Sequence, residues 1–96
     1  MSVYVIVQLT IKNRAAYRQY QKQFMAVFSK HAGRLLASDE NPECVEGDWN
    51  PCKIILMEFP NKDSFQQWAF SQDYVRISAD RRAGAEATVL LAEGLR

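Results

Sequence analysis

The chain has 96 residues, of which 48% are hydrophobic and 24% charged. This is the composition of one globular domain over residues 1–96, and it excludes disordered, collagen-like and low-complexity classes. Twelve Lys and Arg against eleven Asp and Glu leave a formal net charge of +1. Bulk electrostatics therefore gives no case for nucleic acid or an anionic membrane as a partner.

The longest apolar stretches, such as Val3–Val7 and Ile54–Met57, fall far short of the roughly 20 residues a membrane span needs. The opening Met-Ser-Val-Tyr-Val lacks a basic segment leading into an apolar one with a small-residue cleavage site. A cytoplasmic protein is expected. Cys44 and Cys52 are read as reduced thiols near a hairpin, with a disulfide or redox pair as the alternative. With a single His in the chain, a zinc set is not expected, and neither is any other metal or cofactor.

In chain order, Val3–Ile11 alternates as a strand. Val3, Val5, Val7, Leu9 and Ile11 share one face, and Tyr4, Ile6, Gln8 and Thr10 share the other. Asn13 is a plausible N-cap for a helix whose buried stripe is Tyr17, Tyr20, Phe24, Val27/Phe28 and His31. Arg14, Arg18 and Lys22 step along its solvated face. Gly33 is expected to stop this helix in the left-handed conformation. A second strand is expected over Arg34–Ser38, resuming around Glu43–Glu46 after an interruption.

The turn-rich Gly47-Asp48-Trp49-Asn50-Pro51 leads into a third strand, Lys53–Phe59, apolar on both faces. Pro60-Asn61 ends it and can cap a short helix defined by Phe65, Trp68 and Ala69. Ser71 can cap a further helix in which Tyr74, Ile77/Ser78 and Arg81 share a side, closed by Gly84. Ala87–Glu93 reads as the last strand. The order is βαββαβ, an α+β ferredoxin-like fold: a four-stranded antiparallel sheet with its helices on one face.

In that topology the other sheet face meets water, yet the first and third strands carry apolar residues on both sides. Buried apolar area is worth about 25 cal/mol per Å², and a bare apolar face invites aggregation. A homodimer with two sheets packed face to face is therefore expected, a dimeric α/β barrel.

The opening Tyr-Val-Ile-Val, the His31-Ala32-Gly33-Arg34 junction, the run Glu46–Pro51, then Glu58-Phe59-Pro60 and Ser71-Gln72-Asp73-Tyr74 together resemble one small family. It is domain-of-unknown-function family 1330, within the dimeric α/β-barrel superfamily. The resemblance covers about Val3 to Glu93. It implies a ferredoxin-like protomer and a barrel-like dimer, but no reaction. The wider superfamily includes cofactor-independent monooxygenases of the antibiotic-biosynthesis type, muconolactone isomerases, and haem-degrading and haem-dependent proteins. Fold analogy of that breadth does not assign chemistry.

Six residues are candidates for a site between helices and sheet. His31, on the first helix's inward stripe, suits proton transfer near neutrality, or else simply caps the helix C-terminus. Glu58 is grouped by alternation with Ile54 and Leu56, and is either a base or the mate of Arg34 or Arg81. Arg34 and Arg81 are anion clamps or salt-bridge partners. Tyr74 and Trp49 line a pocket or seal an interface. Tyr17, Tyr20, Phe65 and Trp68 are read as core. No Gly-rich phosphate loop, GxSxG elbow or basic–aromatic RNA signature is present.

Two functions follow. One is a dimer that binds a small molecule of anionic or aromatic character, with monooxygenase- or isomerase-like activity. The other is a non-catalytic dimeric structural or regulatory module in which the same residues form internal pairs.

Overall fold

The computed structural model describes residues 1–96. The elements are β1 (Val3–Ile11), α1 (Arg14–Phe28), β2 (Arg34–Asp39), β3 (Lys53–Phe59), α2 (Lys62–Ala69), α3 (Gln72–Gly84) and β4 (Ala85–Glu93). The strands form one antiparallel sheet in the order β2-β3-β1-β4. This is the ferredoxin-like fold that the sequence pattern implies. No helix is long and apolar enough to cross a membrane.

The three helices begin where side chains can satisfy their free N–H groups. Asn13 Oδ1 accepts from the Ala16 N–H at 3.2 Å, Asn61 Oδ1 from the Ser64 N–H at 2.8 Å, and Ser71 Oγ from the Tyr74 N–H at 3.1 Å.

The register sorts the strand residues onto two faces. Val5 lies opposite Met57 and Leu91, and Val7 opposite Ile55 and Val89, all on the helix side. There Val3, Val5, Val7, Leu9, Met57 and Phe59 are buried against Tyr17, Tyr20, Val27 and Phe28 of α1, Trp68 of α2 and Ile77 of α3. Aromatic rings knit this layer: Phe28, Phe59 and Phe65 each pack against Trp68 at centroid distances of 5.4, 5.4 and 6.1 Å. The opposite face carries Tyr4, Ile6, Gln8 and Thr10 of β1, Ile54, Leu56 and Glu58 of β3, and Leu90 of β4. No helix covers it, and Leu90 is 52% exposed.

Two local expectations are corrected. Gly33 does not adopt the left-handed conformation; Gly47 alone has positive φ, at 90°. The helix ends instead at Phe28 with Ser29 as C-cap. Gly33 is small for a packing reason. A Cβ there would lie 2.6 Å from the Phe59 ring and 2.7 Å from Phe28 Cζ. The second strand also does not resume over Glu43–Glu46, which is irregular. A bulge between Leu35 and Ala37 already shifts the register of β2. The following loop instead closes on itself, the Cys44 thiol donating to the Gly47 carbonyl at 3.2 Å.

Gly84 sets where β4 begins. A Cβ on it would meet the Tyr17 backbone nitrogen at 2.5 Å, so α3 and α1 approach too closely for any side chain. Its carbonyl accepts from the Lys12 and Asn13 N–H groups at 2.7 and 3.0 Å, tying the end of α3 to the start of α1.

Candidate functional site

A cavity of about 300 Å³ opens between the helices and the helix side of the sheet. Its floor is Val5, Val7 and Leu9 of β1 with Ile55, Met57 and Val89. Strand alternation puts these on one side. Tyr20 and Phe24, four residues apart on α1, form one wall. Phe65, Trp68 and Ala69 of α2 and Tyr74, Ser78 and Arg81 of α3 form the other. Phe70 and Val75 also line it, and both are exposed, which places them at the rim.

The few polar groups in this apolar space converge. The Tyr20 and Tyr74 hydroxyls are hydrogen-bonded at 2.9 Å. Burial, with the Tyr74 hydroxyl beside it, pushes the Tyr20 phenol well above its ordinary pKa, so it stays protonated. Arg82 Nη1 donates to Ser78 Oγ at 3.0 Å, and that hydroxyl donates to the Val75 carbonyl at 2.8 Å.

Two donors are left over. The Trp68 Nε1–H and the Arg81 Nε–H are buried and have no partner. Trp68 is only 3% exposed. Buried N–H groups are almost always hydrogen-bonded, and an unpaired one costs about 1–3 kcal/mol. Arg81 forms no ion pair within 4 Å, and no carboxylate lines the cavity. The space is thus apolar in bulk, cationic on one wall, and short of hydrogen-bond acceptors. No group of three or more His, Cys, Asp or Glu that could hold a metal ion is present.

The six candidates from the sequence are not brought together. Tyr74 and Arg81 line the cavity; His31, Arg34, Trp49 and Glu58 do not. His31 lies three residues beyond the end of α1, half-buried in the turn before β2, its backbone N–H donating to the Phe28 carbonyl at 3.0 Å. The helical stripe that was expected to carry it inward ends before it.

Arg34 and Glu58 are register partners on the sheet's other face. Arg34 Nε, at 3.2 Å, and Nη2 both donate to Glu58 Oε1. That guanidinium, with help from Tyr4 and Ser2, holds the Glu58 carboxyl below its ordinary pKa. Strand alternation thus puts Arg34 and Glu58 on the face away from the cavity, and His31 in its turn does not line it, so the three form no shared site between helices and sheet. Trp49 lines a separate polar concavity of about 620 Å³ with Gln8, Thr10, Glu86 and Thr88. Its indole N–H is also buried and unpaired.

Phe65, Trp68 and Tyr20, expected in the core, pack there and also line the cavity; Trp68 and Tyr20 are the two with a polar group. The signal was present: both carry a polar tip on a buried stripe, and such tips need a partner when desolvated.

The comparisons with known proteins fit this architecture. A family model described as a domain of unknown function, DUF1330, matches residues 2–95. No curated protein sequence matches. Among solved structures, the chain is similar to the RPA0582 protein of unknown function from Rhodopseudomonas palustris, with a TM-score of 0.82 at 14% identity, covering 99% of this chain and 83% of that one. It is similar to SnoaB, a cofactor-independent oxygenase from Streptomyces nogalater, with a TM-score of 0.71 at 14% identity, covering 99% and 94%. It is also similar to a dimeric protein of unknown function with a ferredoxin-like fold from Bacteroides fragilis, with a TM-score of 0.69 at 17% identity, covering 97% and 96%.

Proposed function

The chain belongs to the DUF1330 family, and from that premise we propose that it is a homodimer that binds a small aromatic anion in the cavity between its helices and sheet. The observation that carries this reading is that Trp68 and Arg81, whose Nε1–H and Nε–H are buried and unpaired, both line one apolar cavity of about 300 Å³. That volume sits at the lower end of ordinary ligand sites. A ring would pack against Trp68, Phe65 and the β1 valines. Its carboxylate, phenolate or enolate oxygen would accept from Trp68 and Arg81.

A phenolate or enolate stabilised in this way is the reactive form for two cofactor-free reactions: oxygenation of an electron-rich ring and proton shuffling between carbons. The likeness to a protein described as a cofactor-independent oxygenase supports the first as the reaction class to test. Tyr74 and Arg81 are then substrate-contacting residues, and the Tyr20–Tyr74 hydroxyl pair is the proton-bearing group nearest the ligand.

The second copy would sit on the uncovered sheet face. The half-buried Ile6, Ile54 and Leu56 and the exposed Leu90 there support this, as does the description of one structural neighbour as dimeric. Arg34, Glu58 and Trp49 would serve that interface. The Arg34–Glu58 pairing on this face also favours the second reading, a dimeric module without catalysis.

The test is a titration of the Trp49→Phe variant, whose remaining tryptophan is Trp68. Benzoate, salicylate and phenolate analogues are expected to change its fluorescence saturably. Neutral benzyl alcohol and benzamide are expected to bind at least tenfold more weakly. Arg81→Met should remove the preference for the anion while leaving the thermal midpoint nearly unchanged. No saturable response to any aromatic anion at millimolar concentration would contradict the proposal.

A further inference from the structure

A second, smaller cavity of about 170 Å³ lies on the far side of Tyr20 and Phe24, toward the β2 edge of the sheet. Leu35, Met25 and Ile55 give it apolar walls, and Tyr17 and Lys53 line it as well. Lys53 opens β3 and faces the helices. It is 6% exposed, the only charged residue among the buried ones.

An ammonium buried to this degree is ordinarily held by a carboxylate. Lys53 has none within 4 Å. Its single hydrogen bond is to the Tyr17 hydroxyl, at 3.0 Å. The acid that acts on it, Glu40, is already engaged by both terminal nitrogens of Arg14, at 2.9 and 3.0 Å. Charged groups facing the amine are thus Glu40, which favours its protonated form, and Arg14, which opposes it. Burial outweighs both and pulls the Lys53 pKa below its ordinary value. Burial likewise pushes the Tyr17 phenol up to about 12, which keeps it a proton donor at neutral pH.

We propose that Lys53 is a nucleophilic amine that condenses with a small aliphatic aldehyde held in the cavity beside Tyr17. The geometry supplies each part: an amine without a counter-ion, a hydroxyl in hydrogen-bond contact with it, and a small, largely apolar space beside them. A lysine whose charged form is disfavoured by burial is a recognised nucleophile for imine chemistry.

The step balances without a further reagent. The amine lone pair attacks the carbonyl carbon, the C–N bond forms, and the carbonyl π pair moves to oxygen. A proton passes from nitrogen to that oxygen, giving the carbinolamine. The Tyr17 hydroxyl then protonates the departing oxygen, which leaves as water, and the Tyr17 phenolate takes the remaining proton from nitrogen. The net change is amine plus aldehyde to imine plus water. This site is separate from the aromatic-anion cavity and does not depend on that reading.

The test traps the imine in the intact, folded chain. Butanal and cyanoborohydride are added at pH 7.5, and alkylation is followed over time by peptide mapping. Lys12, Lys22, Lys30 and Lys62, all exposed, serve as internal references. Lys53 is expected to be alkylated at least tenfold faster than their mean. In the urea-unfolded chain all five lysines should react alike. Tyr17→Phe should slow Lys53 severalfold without changing the rates at the four references. Alkylation of Lys53 in the folded wild type at or below the reference rate would overturn the proposal, whatever the variant does.

Discussion

The two faces of the sheet are built from the same strands and meet opposite fates. On the helix side, Val5 and Phe59 are fully buried and Leu9 is 1% exposed. On the other side, Ile6, Ile54 and Leu56 stay half-buried, with Leu90 half-exposed. The residue types are similar; what differs is cover. The helix face closes with aromatic side chains and leaves a cavity whose donors lack acceptors. The open face is uncovered, apolar at its centre, and carries the Arg34–Glu58 pair. The proposed small molecule would occupy the covered face, and the proposed second copy would cover the open one.

Core truncation is the largest expected effect and separates the faces most sharply. Phe59→Ala removes a fully buried ring and is expected to cost about 3–5 kcal/mol in denaturant unfolding. Leu90→Ala on the open face should cost under 1 kcal/mol per chain and instead weaken association, read as a concentration-dependent melting midpoint. Equal losses from both would erase the contrast between covered and uncovered faces.

Gly33→Ala comes next. Its methyl must displace the Phe28 and Phe59 rings, at about 1–3 kcal/mol by analogy with overpacked cores. Had Gly33 been needed for backbone conformation, Gly33→Asn would be tolerated better than Gly33→Ala. The packing explanation predicts the reverse, since Asn is larger.

The smallest effect concerns pH. The Arg34 hydrogen bonds hold the folded Glu58 pKa below the ordinary 4.5. The folded state therefore binds fewer protons than the unfolded one between those two values. The pair's contribution is complete above pH 4.5 and is lost as pH falls through the folded pKa. Urea midpoints measured from pH 6 to pH 3 should fall less steeply for Glu58→Gln than for wild type. Parallel curves would show that the pair adds nothing to stability.

Much of the fold is legible in the chain because strand alternation and helical stripes agree with the caps at Asn13, Asn61 and Ser71. Lys53–Phe59 reads as a central strand from its two-sided apolar pattern, and it pairs with both β1 and β2. At Gly33 the sequence shows a small residue at a helix end but not the Phe59 ring packed against it. Glu43–Glu46 was misread because its alternation has no partner strand to pair with.

The site was harder to see. Tyr74 and Arg81 follow from one helical face, but His31 falls beyond a helix end that no residue marks clearly. Arg34 and Glu58 look like site residues because a charge on an apolar strand is conspicuous. Which face they occupy depends on register, and a one-residue shift reverses it. Trp68 and Lys53 were hidden for the opposite reason. Each looks ordinary in sequence; that the Trp68 N–H lacks an acceptor and the Lys53 amine a counter-ion appears only once their neighbours are placed.

The account's central claim is that the uncovered face binds a second copy, leaving the cavity beneath the helices for a ligand. Native mass spectrometry of the gently purified chain, beside a Leu56→Asp variant carrying a charge at the centre of that face, tests it most directly. The account predicts twice the chain mass for wild type and a folded monomer for the variant. A wild-type monomer at micromolar concentration, or a variant that dimerises as well as wild type, would contradict it.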